Sequence, residues 1–162
     1  MNFIKRHTLS LFFIAAALFA PIASAASLVY NSFLYDVVSG SIVKTDTFKC
    51  ILTTSAYTED RDTHMKRSDV TNEVTGTGYT AGGNTVVPTF TKDTANDRLQ
   101  VVIPTTIWTS STITARKMAC YKSRGGASSA DELVFVNDFG ADVITTAGTF
   151  TVNSSTINFN TP

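Results

Sequence analysis

Charged residues are scarce in this sequence, and neither sign dominates. The 162 residues include 13 lysines and arginines and 13 aspartates and glutamates, so the formal net charge is zero. Nucleic-acid-binding proteins and proteins that bind anionic membranes carry a strong basic patch. The composition therefore predicts no nucleic-acid partner. Its richness in threonine, serine, valine and glycine is typical of a β-rich extracellular domain.

Histidine is nearly absent, which narrows the chemistry available to the chain. His7 lies in the leader described below, so His64 is the one histidine left for a site. One histidine excludes a multi-histidine metal site, and no GxSxG motif supplies a nucleophile for a Ser-His-Asp triad. Glu59, Asp60 and Asp62 offer oxygen ligands, but the central glycine and distal glutamate of a calcium loop are missing. We therefore predict no catalytic residue, no metal and no cofactor, with His64 in a surface loop.

Cysteine is limited to Cys50 and Cys120, both outside the leader. An even count in an exported protein favours a disulfide. The bridge would close a loop of about 70 residues and stabilise the fold by on the order of 4 kcal/mol. Two buried free thiols are the alternative.

Residues 1–25 have the pattern of a secretory signal peptide. Lys5 and Arg6 form a basic start, residues 9–19 are an almost unbroken apolar run, and residues 23–25 read Ala-Ser-Ala. This order of basic, apolar and small residues marks a cleavable leader. The apolar run is too short to span a bilayer comfortably. We predict cleavage after Ala25, a single domain at 26–162, and no membrane span after cleavage.

A cluster of glycines surrounds one aromatic residue between two β-type runs. Gly76, Gly78, Gly82 and Gly83 flank Tyr79, and glycine reaches positive φ angles without steric cost. The spacing imitates the GxGxxA nucleotide fingerprint, but that motif requires a helix where β-branched residues and a proline follow here. We predict a tight structural turn that Tyr79 anchors to the core.

Short β-type segments recur along the chain, and one segment has helical spacing. Residues 31–39 carry apolar residues at helical intervals, and Gly40 then provides a C-terminal stop. Strands are predicted at 48–54, 85–92, 98–103, 112–122, 133–139 and 149–159. The second and third of these form a hairpin, and Trp108, just before the fourth, fills the core. The pattern predicts a mainly β fold, an antiparallel β-sandwich or jelly-roll-like domain with one short N-terminal helix.

Two loops contain the residues that we predict as possible interaction sites. The polar loop 57–68 and the glycine/serine loop 123–130 separate strands, and loops of a rigid sandwich commonly carry binding residues. Loop 123–130 is expected to form a mobile, exposed tip. The candidate residues are Asp60, Arg61, Asp62, His64, Arg124, Gly125 and Gly126.

Several sequence blocks, taken together, resemble a set of small tailed-phage proteins. The blocks are LTTSAYT at 52–58, DTH at 62–64, DVTNEV at 69–74, GTGYTAGG at 76–83, Trp108 with STITAR at 111–116, and DFGAD at 138–142. They cover most of the domain between residues 47 and 151. The resemblance implies a virion structural protein, such as a head decoration (cement) or tail-associated subunit, and the signal peptide implies an exported form.

Three functions follow as hypotheses. The first is a non-enzymatic structural or assembly subunit that presents β-surface to copies of itself or to a larger particle or cell-surface lattice. The second is a secreted binding or adhesion module that acts through its end loops. A hydrolase, the third, needs a nucleophile beside a base or a carboxylate pair, which the scattered acids do not indicate. We expect the first function, in a periplasmic, extracellular or cell-surface protein, or in a virion if the protein is phage-encoded.

Overall fold

The computed structural model describes residues 25–160, and these residues confirm the mainly β, antiparallel prediction. The predicted signal peptide lies outside the described residues, except for Ala25 at the start of the first strand. No helix within this part of the chain is long and apolar enough to cross a membrane. The elements in chain order are β1 (Ala25–Val29), α1 (Asn31–Val38), β2 (Phe48–Thr53), a short 3-10 turn (Arg67–Asp69), β3 (Asn84–Val86), β4 (Thr89–Asp93), β5 (Arg98–Ile103), β6 (Thr106–Lys122), β7 (Leu133–Val152) and β8 (Ser155–Asn160).

The strands form two antiparallel sheets. One sheet has five strands in the order β1-β7-β6-β2-β3, and the other has three in the order β4-β5-β8. Apolar side chains from both sheets meet in one large cluster, which includes Phe48 and Phe135 of the first sheet and Val101 and Ile157 of the second. This sandwich-like arrangement agrees with the predicted fold class.

Helix α1 confirms the helix predicted at 31–39. Phe33 is its one buried residue, and the Phe33 ring lies 5.9 Å from the ring of Phe159. The helix ends where Ser39 caps it and Gly40 turns the chain at φ 75°. The remaining apolar side chains of α1 point away from the core.

The single strand predicted at 85–92 is wrong. β3 pairs with β2 in the first sheet, whereas β4 pairs with β5 in the second. Pro88 lies between β3 and β4, and proline interrupts a strand because it has no N–H to donate and fixes φ. The hairpin predicted from the next turn is confirmed, because Asp93 pairs with Arg98.

The strands predicted at 112–122 and 133–139 are parts of much longer strands. β6 has 17 residues and β7 has 20. Trp108 therefore lies inside β6 instead of before it, and its side chain is buried as predicted. The strand predicted at 149–159 is divided between the end of β7 and β8.

The long β6–β7 hairpin bends around the core. Phe139 and Phe150 are eleven residues apart in β7, a separation of about 36 Å in an extended strand. Their ring centroids are nevertheless 6.1 Å apart. Positive φ angles at Ser110, Gly140 and Ala147, together with irregular register between the two strands, accompany this bend. β7 is therefore not a straight strand between Phe139 and Phe150.

A disulfide joins the central strand of the larger sheet to its neighbour β2. Cys50 of β2 and Cys120 of β6 lie directly opposite each other, with their Cα atoms 4.1 Å apart. Both residues are buried. The predicted bridge is therefore confirmed, and it fixes the register of β2 against β6.

A second, smaller core lies on the other side of the five-stranded sheet. The chain between β2 and β3 crosses this outer face and contributes Tyr57, which packs there with apolar residues of the sheet. The C-terminal half of β6 is consequently buried on both faces, whereas its N-terminal half alternates between buried and exposed residues. The members of this core are Tyr30, Ile51, Tyr57, Ala119, Tyr121, Leu133 and Val136.

Candidate functional site

The predicted interaction loop 57–68 is fixed to the sheet through Tyr57, whereas Asp60, Arg61 and Asp62 are exposed. Tyr57 is 1% exposed, its hydroxyl lies 2.7 Å from that of Tyr30, and its carbonyl accepts a 2.8 Å hydrogen bond from Lys117 Nζ. Burial raises the pKa of Tyr57 to about 12. His64 lies in the loop as predicted, but its ring is half-buried and stacks on Tyr57 at 5.8 Å. The His64 side chain therefore supports a packed tyrosine.

Two acidic residues of this loop form hydrogen bonds within the fold, one with backbone amides of the loop and the other with Asn31. Asp60 accepts hydrogen bonds from the amides of Thr63 at 3.0 Å and Asp62 at 2.8 Å, which lower the pKa of its carboxyl. The carboxylate of Asp62 and the carbonyl of Arg61 both accept from Asn31 at the start of α1. Among the described residues, no group of three His, Cys, Asp or Glu side chains is placed to hold a metal ion.

The predicted glycine turn lies flat against the sheet. All four of its glycines have positive φ. A Cβ atom on Gly83 would lie 1.9 Å from the carbonyl oxygen of Cys50, and one on Gly78 would lie 2.8 Å from that of Ser110. Only glycine permits this approach, because both positions combine a left-handed backbone with direct backbone contact.

Tyr79 fixes this turn to the core, as the sequence predicted. Its hydroxyl accepts a 3.0 Å hydrogen bond from the Leu52 amide and donates one of 2.8 Å to Glu73 Oε1. The same Glu73 oxygen accepts from the Gly82 amide at 2.6 Å. The Tyr79 ring stacks on Trp108 with centroids 6.2 Å apart. The turn is therefore a structural element that Tyr79 fixes to β2 and β6.

Loop 123–130 is anchored at both ends and projects only at its tip. The Arg124 guanidinium binds Glu132, with an Nη2–Oε1 distance of 2.7 Å, and the Arg124 amide donates to Asp131 Oδ1 at 2.8 Å. A Cβ atom on Gly125 or Gly126 would meet no atom within 4 Å. The exposed part of this predicted interaction loop runs from Arg124 to Ala127 and includes Ser129.

Two buried acids at the start of β7 were not identified from the sequence. The side chains of Asp131 and Glu132 are 3% and 4% exposed, and they pair with Arg67 at 3.2 Å and Lys66 at 3.1 Å. Burial raises the pKa of Glu132, but Arg124 and Lys66 outweigh it and hold this pKa below its usual range. A carboxylate in this state carries no proton near neutral pH. Two adjacent acids after a loop give the same sequence pattern whether they are buried or solvent-exposed. Nothing in the sequence therefore indicated that Asp131 and Glu132 are buried.

The two outer edges of the β6–β7 hairpin differ. The β6 edge pairs with β2, continues with a bridge between Thr112 and Thr77 of the glycine turn, and ends where Asn84 Nδ2 donates to the Ile107 carbonyl at 2.8 Å. The β7 edge pairs with β1 only as far as Asp138. No strand among the described residues pairs with the rest, residues 140–152. We call this segment the free edge of β7.

A cavity of about 240 Å³ opens between the two layers beside the free edge. Phe139, Phe150 and Val152 supply apolar lining, and the buried Asn137 donates a 3.0 Å hydrogen bond to Ser155 in the same lining. No charged residue contributes to the lining. The lining residues are Ser27, Asn137, Phe139, Phe150, Thr151, Val152, Asn153, Ser154, Ser155 and Thr156.

Comparison with known proteins gives no relative for this chain. No family model, no curated protein and no solved structure matches it. The resemblance to tailed-phage proteins therefore gains no support from these comparisons and stays a prediction. The free edge of β7 and the cavity beside it are the candidate functional features of the described chain.

Proposed function

We propose that this protein is a non-enzymatic structural subunit that assembles with copies of itself by strand pairing along the free edge of β7. The observation that carries the proposal is the outer side of segment 140–152, with which no strand of residues 25–160 pairs. A strand at a sheet edge presents a row of N–H and C=O groups, which form a ready template for a strand of another chain.

The free edge lacks the prolines and basic residues that protect many sheet edges from association, although β7 is irregular at Gly140 and Ala147. Natural edges are commonly short or carry lysine, proline or inward-pointing charges. β3 is three residues long, and β4 follows Pro88 and carries Lys92. Residues 140–152 contain no proline and no basic residue, and Asp142 is their one charged residue. The contrast with β3 and β4 favours use of the β7 edge as an interface, and the edge of β8, which also lacks proline and charge, is the second candidate.

The polar groups that an enzyme would need are engaged in holding the fold. The His64 ring supports Tyr57, and the carboxylates of Asp131, Glu132 and Asp138 each pair with a basic side chain. The disulfide is compatible with export, because disulfides persist in oxidising compartments. The proposed setting is a lattice outside the cytoplasm, on a particle or a cell surface.

The alternative, a binding module that uses its end loops, has less support. In loop 57–68 the exposed Asp60 binds amides of its own loop and the exposed Asp62 binds Asn31. In loop 123–130 the exposed Arg124 pairs with Glu132. Hydrogen bonds and ion pairs within the fold therefore engage these polar groups. We therefore favour assembly over loop-mediated binding.

The proposal is tested by light scattering behind a sizing column, on processed protein over a range of concentrations. We expect the wild-type chain to form dimers or larger assemblies. The double variant Ile144→Lys/Thr146→Lys should shift the mass to that of the monomer, because it places like charges along both copies of the edge.

A matched control uses the neighbouring strand. Ile107→Lys/Thr109→Lys introduces the same changes at two exposed positions of β6, whose outer edge is already covered. This variant should assemble like the wild type. A wild-type chain that stays monomeric at all concentrations, or a control that dissociates equally, would refute the proposal.

A further inference from the structure

We infer that the cavity beside the free edge of β7 is a binding site for a small, uncharged molecule that carries one aromatic ring and one hydroxyl group. Its lining comes from β1 and β7 of the larger sheet, from β8 of the smaller sheet, and from residues 153 and 154 between β7 and β8. Ligand pockets are usually concave, largely preformed and lined in this way by several rigid elements. Such a site needs no second copy of the chain and therefore goes beyond the proposed function.

The volume of the cavity fits one ring with a short substituent. A cavity of about 150 Å³ already binds a benzene ring. The cavity here has a volume of about 240 Å³, so it accommodates a ring and a hydroxymethyl group but is smaller than two benzene-sized cavities together. A ligand with two aromatic rings would therefore leave one ring outside.

The absence of charge from the lining disfavours an ionic ligand. All of the residues that line the cavity have uncharged side chains. Asp138 is adjacent to Asn137 in β7, but its carboxylate pairs with Arg116, and successive side chains of a strand point to opposite faces. A carboxylate or ammonium group in the cavity would lose its water without gaining a counter-charge, which costs free energy.

Two phenylalanine rings favour an aromatic ligand. The ring centroids of Phe139 and Phe150 are 6.1 Å apart with the planes tilted by 50°. Both side chains are buried and belong to the main core, as does Val152, so the packing of the sandwich holds them in place. Aromatic groups favour edge-to-face and offset contacts with one another. A sugar would instead place several hydroxyl groups against this apolar lining, where they lose water without a partner.

A buried polar pair in the lining selects for the hydroxyl group. Asn137 and Ser155 are both buried, and Asn137 Nδ2 donates a 3.0 Å hydrogen bond to Ser155 Oγ. A serine hydroxyl that accepts a hydrogen bond still carries one proton that it can donate. We assign this proton to the oxygen of the ligand. A few fixed polar groups in an otherwise apolar pocket set the orientation of a ligand, and Ser155 has this role here.

Titration of the processed domain with benzyl alcohol, followed by NMR of the backbone amides, tests the site. We expect saturable shifts centred on residues 150–156, with a Kd on the order of 1 mM for so small a ligand. Benzoate keeps the ring but carries a negative charge, and it should bind at least about tenfold more weakly. Shifts centred elsewhere, equal binding of benzoate, or tighter binding of methyl α-glucopyranoside would overturn the assignment.

Filling the cavity provides the second test. Ser27 is exposed and lines the cavity, so Ser27→Phe should abolish binding of benzyl alcohol and leave the melting temperature unchanged. The matched control, Ser129→Phe, lies at an exposed position of loop 123–130 and should bind like the wild type. Ser154→Phe, at another exposed position of the lining, serves if Ser27→Phe fails to fold. Filled variants that bind like the wild type would overturn the site.

A comparison of two probes tests the role of Ser155. Ser155→Ala should weaken binding of benzyl alcohol about fivefold, because one hydrogen bond is lost, but should leave the affinity for toluene, which has no hydroxyl group, unchanged. An equal loss of affinity for both probes would refute this role.

The edge variant separates the site from assembly. Ile144→Lys/Thr146→Lys should bind benzyl alcohol with the affinity of the wild type, because neither residue lines the cavity. Loss of binding in this variant would place the ligand at an interface between copies and overturn the site. A wild-type chain that is monomeric and binds benzyl alcohol would refute the proposed function and leave the binding site supported.

Discussion

At the scale of single residues, Tyr79 holds the glycine turn through both its ring and its hydroxyl. The ring lies against Trp108, and the hydroxyl joins the Leu52 amide to the Glu73 carboxylate. Burial raises the pKa of Tyr79 well above its usual value, so the hydroxyl keeps its proton and its role as a donor. One side chain therefore connects the turn, β2 and β6.

Replacing Tyr79 tests this connection. Tyr79→Ala should lower the free energy of unfolding by about 3–5 kcal/mol, as large aromatic truncations do. Tyr79→Phe should cost about 1–3 kcal/mol, because the amide of Leu52 and the carboxylate of Glu73 lose a partner. Urea unfolding followed by fluorescence measures both. The control Tyr35→Ala removes a side chain that is 74% exposed, and we expect a change within about 0.5 kcal/mol. Equal losses at positions 79 and 35 would contradict the anchor.

At the scale of elements, loop 123–130 divides into a fixed base and a free tip. Inserting Gly-Ser-Gly-Ser between Gly125 and Gly126 should cost less than about 0.6 kcal/mol, because loop-closure entropy grows slowly with length. Arg124→Ala should destabilise the domain more than the insertion does, since it leaves the buried Glu132 with fewer partners. Thermal unfolding compares the two variants. A larger loss from the insertion than from Arg124→Ala would show that the tip is structural.

The elements also show which features the sequence could predict. Helix α1, strands β2 and β5, the β4–β5 hairpin and the glycine turn follow from local patterns, because their spacing and turn residues act over a few positions. The full length of β7 does not, since residues 140–149 are largely exposed and carry no apolar alternation. Tyr57 and His64 lie in a polar segment, but Tyr57 packs against sheet residues that are distant in sequence. Local patterns do not predict such a contact. The free edge of β7 could not be predicted from the sequence either, because it depends on where β1 stops pairing with β7.

At the scale of the whole molecule, the pKa values of the carboxylates determine how the free energy of unfolding depends on pH. Burial raises the pKa of Asp138 and Glu132, but nearby cations and donors outweigh it. Among the described acids whose pKa is shifted, only Asp36 has a raised pKa, because burial disfavours its charged form. The acids with lowered pKa are Asp46, Asp60, Asp69, Asp93, Glu132 and Asp138.

We expect the domain to lose stability in acid. Because these six acids have lower pKa values in the folded state, the unfolded chain binds more protons as pH falls below about 4, and the free energy of unfolding declines. Urea titrations between pH 7 and pH 2.5 measure this decline. The Glu132→Gln variant should have a lower free energy of unfolding than the wild type at pH 7. Its free energy of unfolding should also fall less steeply as the pH is lowered. A stability that is flat or rising between pH 5 and pH 3 would contradict the assignment.

The disulfide between β2 and β6 has a mechanical consequence for a subunit pulled by its neighbours. Cys50 and Cys120 are 70 residues apart in sequence, and that length of chain reaches about 240 Å when fully extended. Tension applied at the two ends of the domain passes through the covalent bridge and bypasses the enclosed segment. β3, β4, β5, the glycine turn and most of β6 would stay unstretched under load, and the chain could lengthen only through the parts outside the bridge.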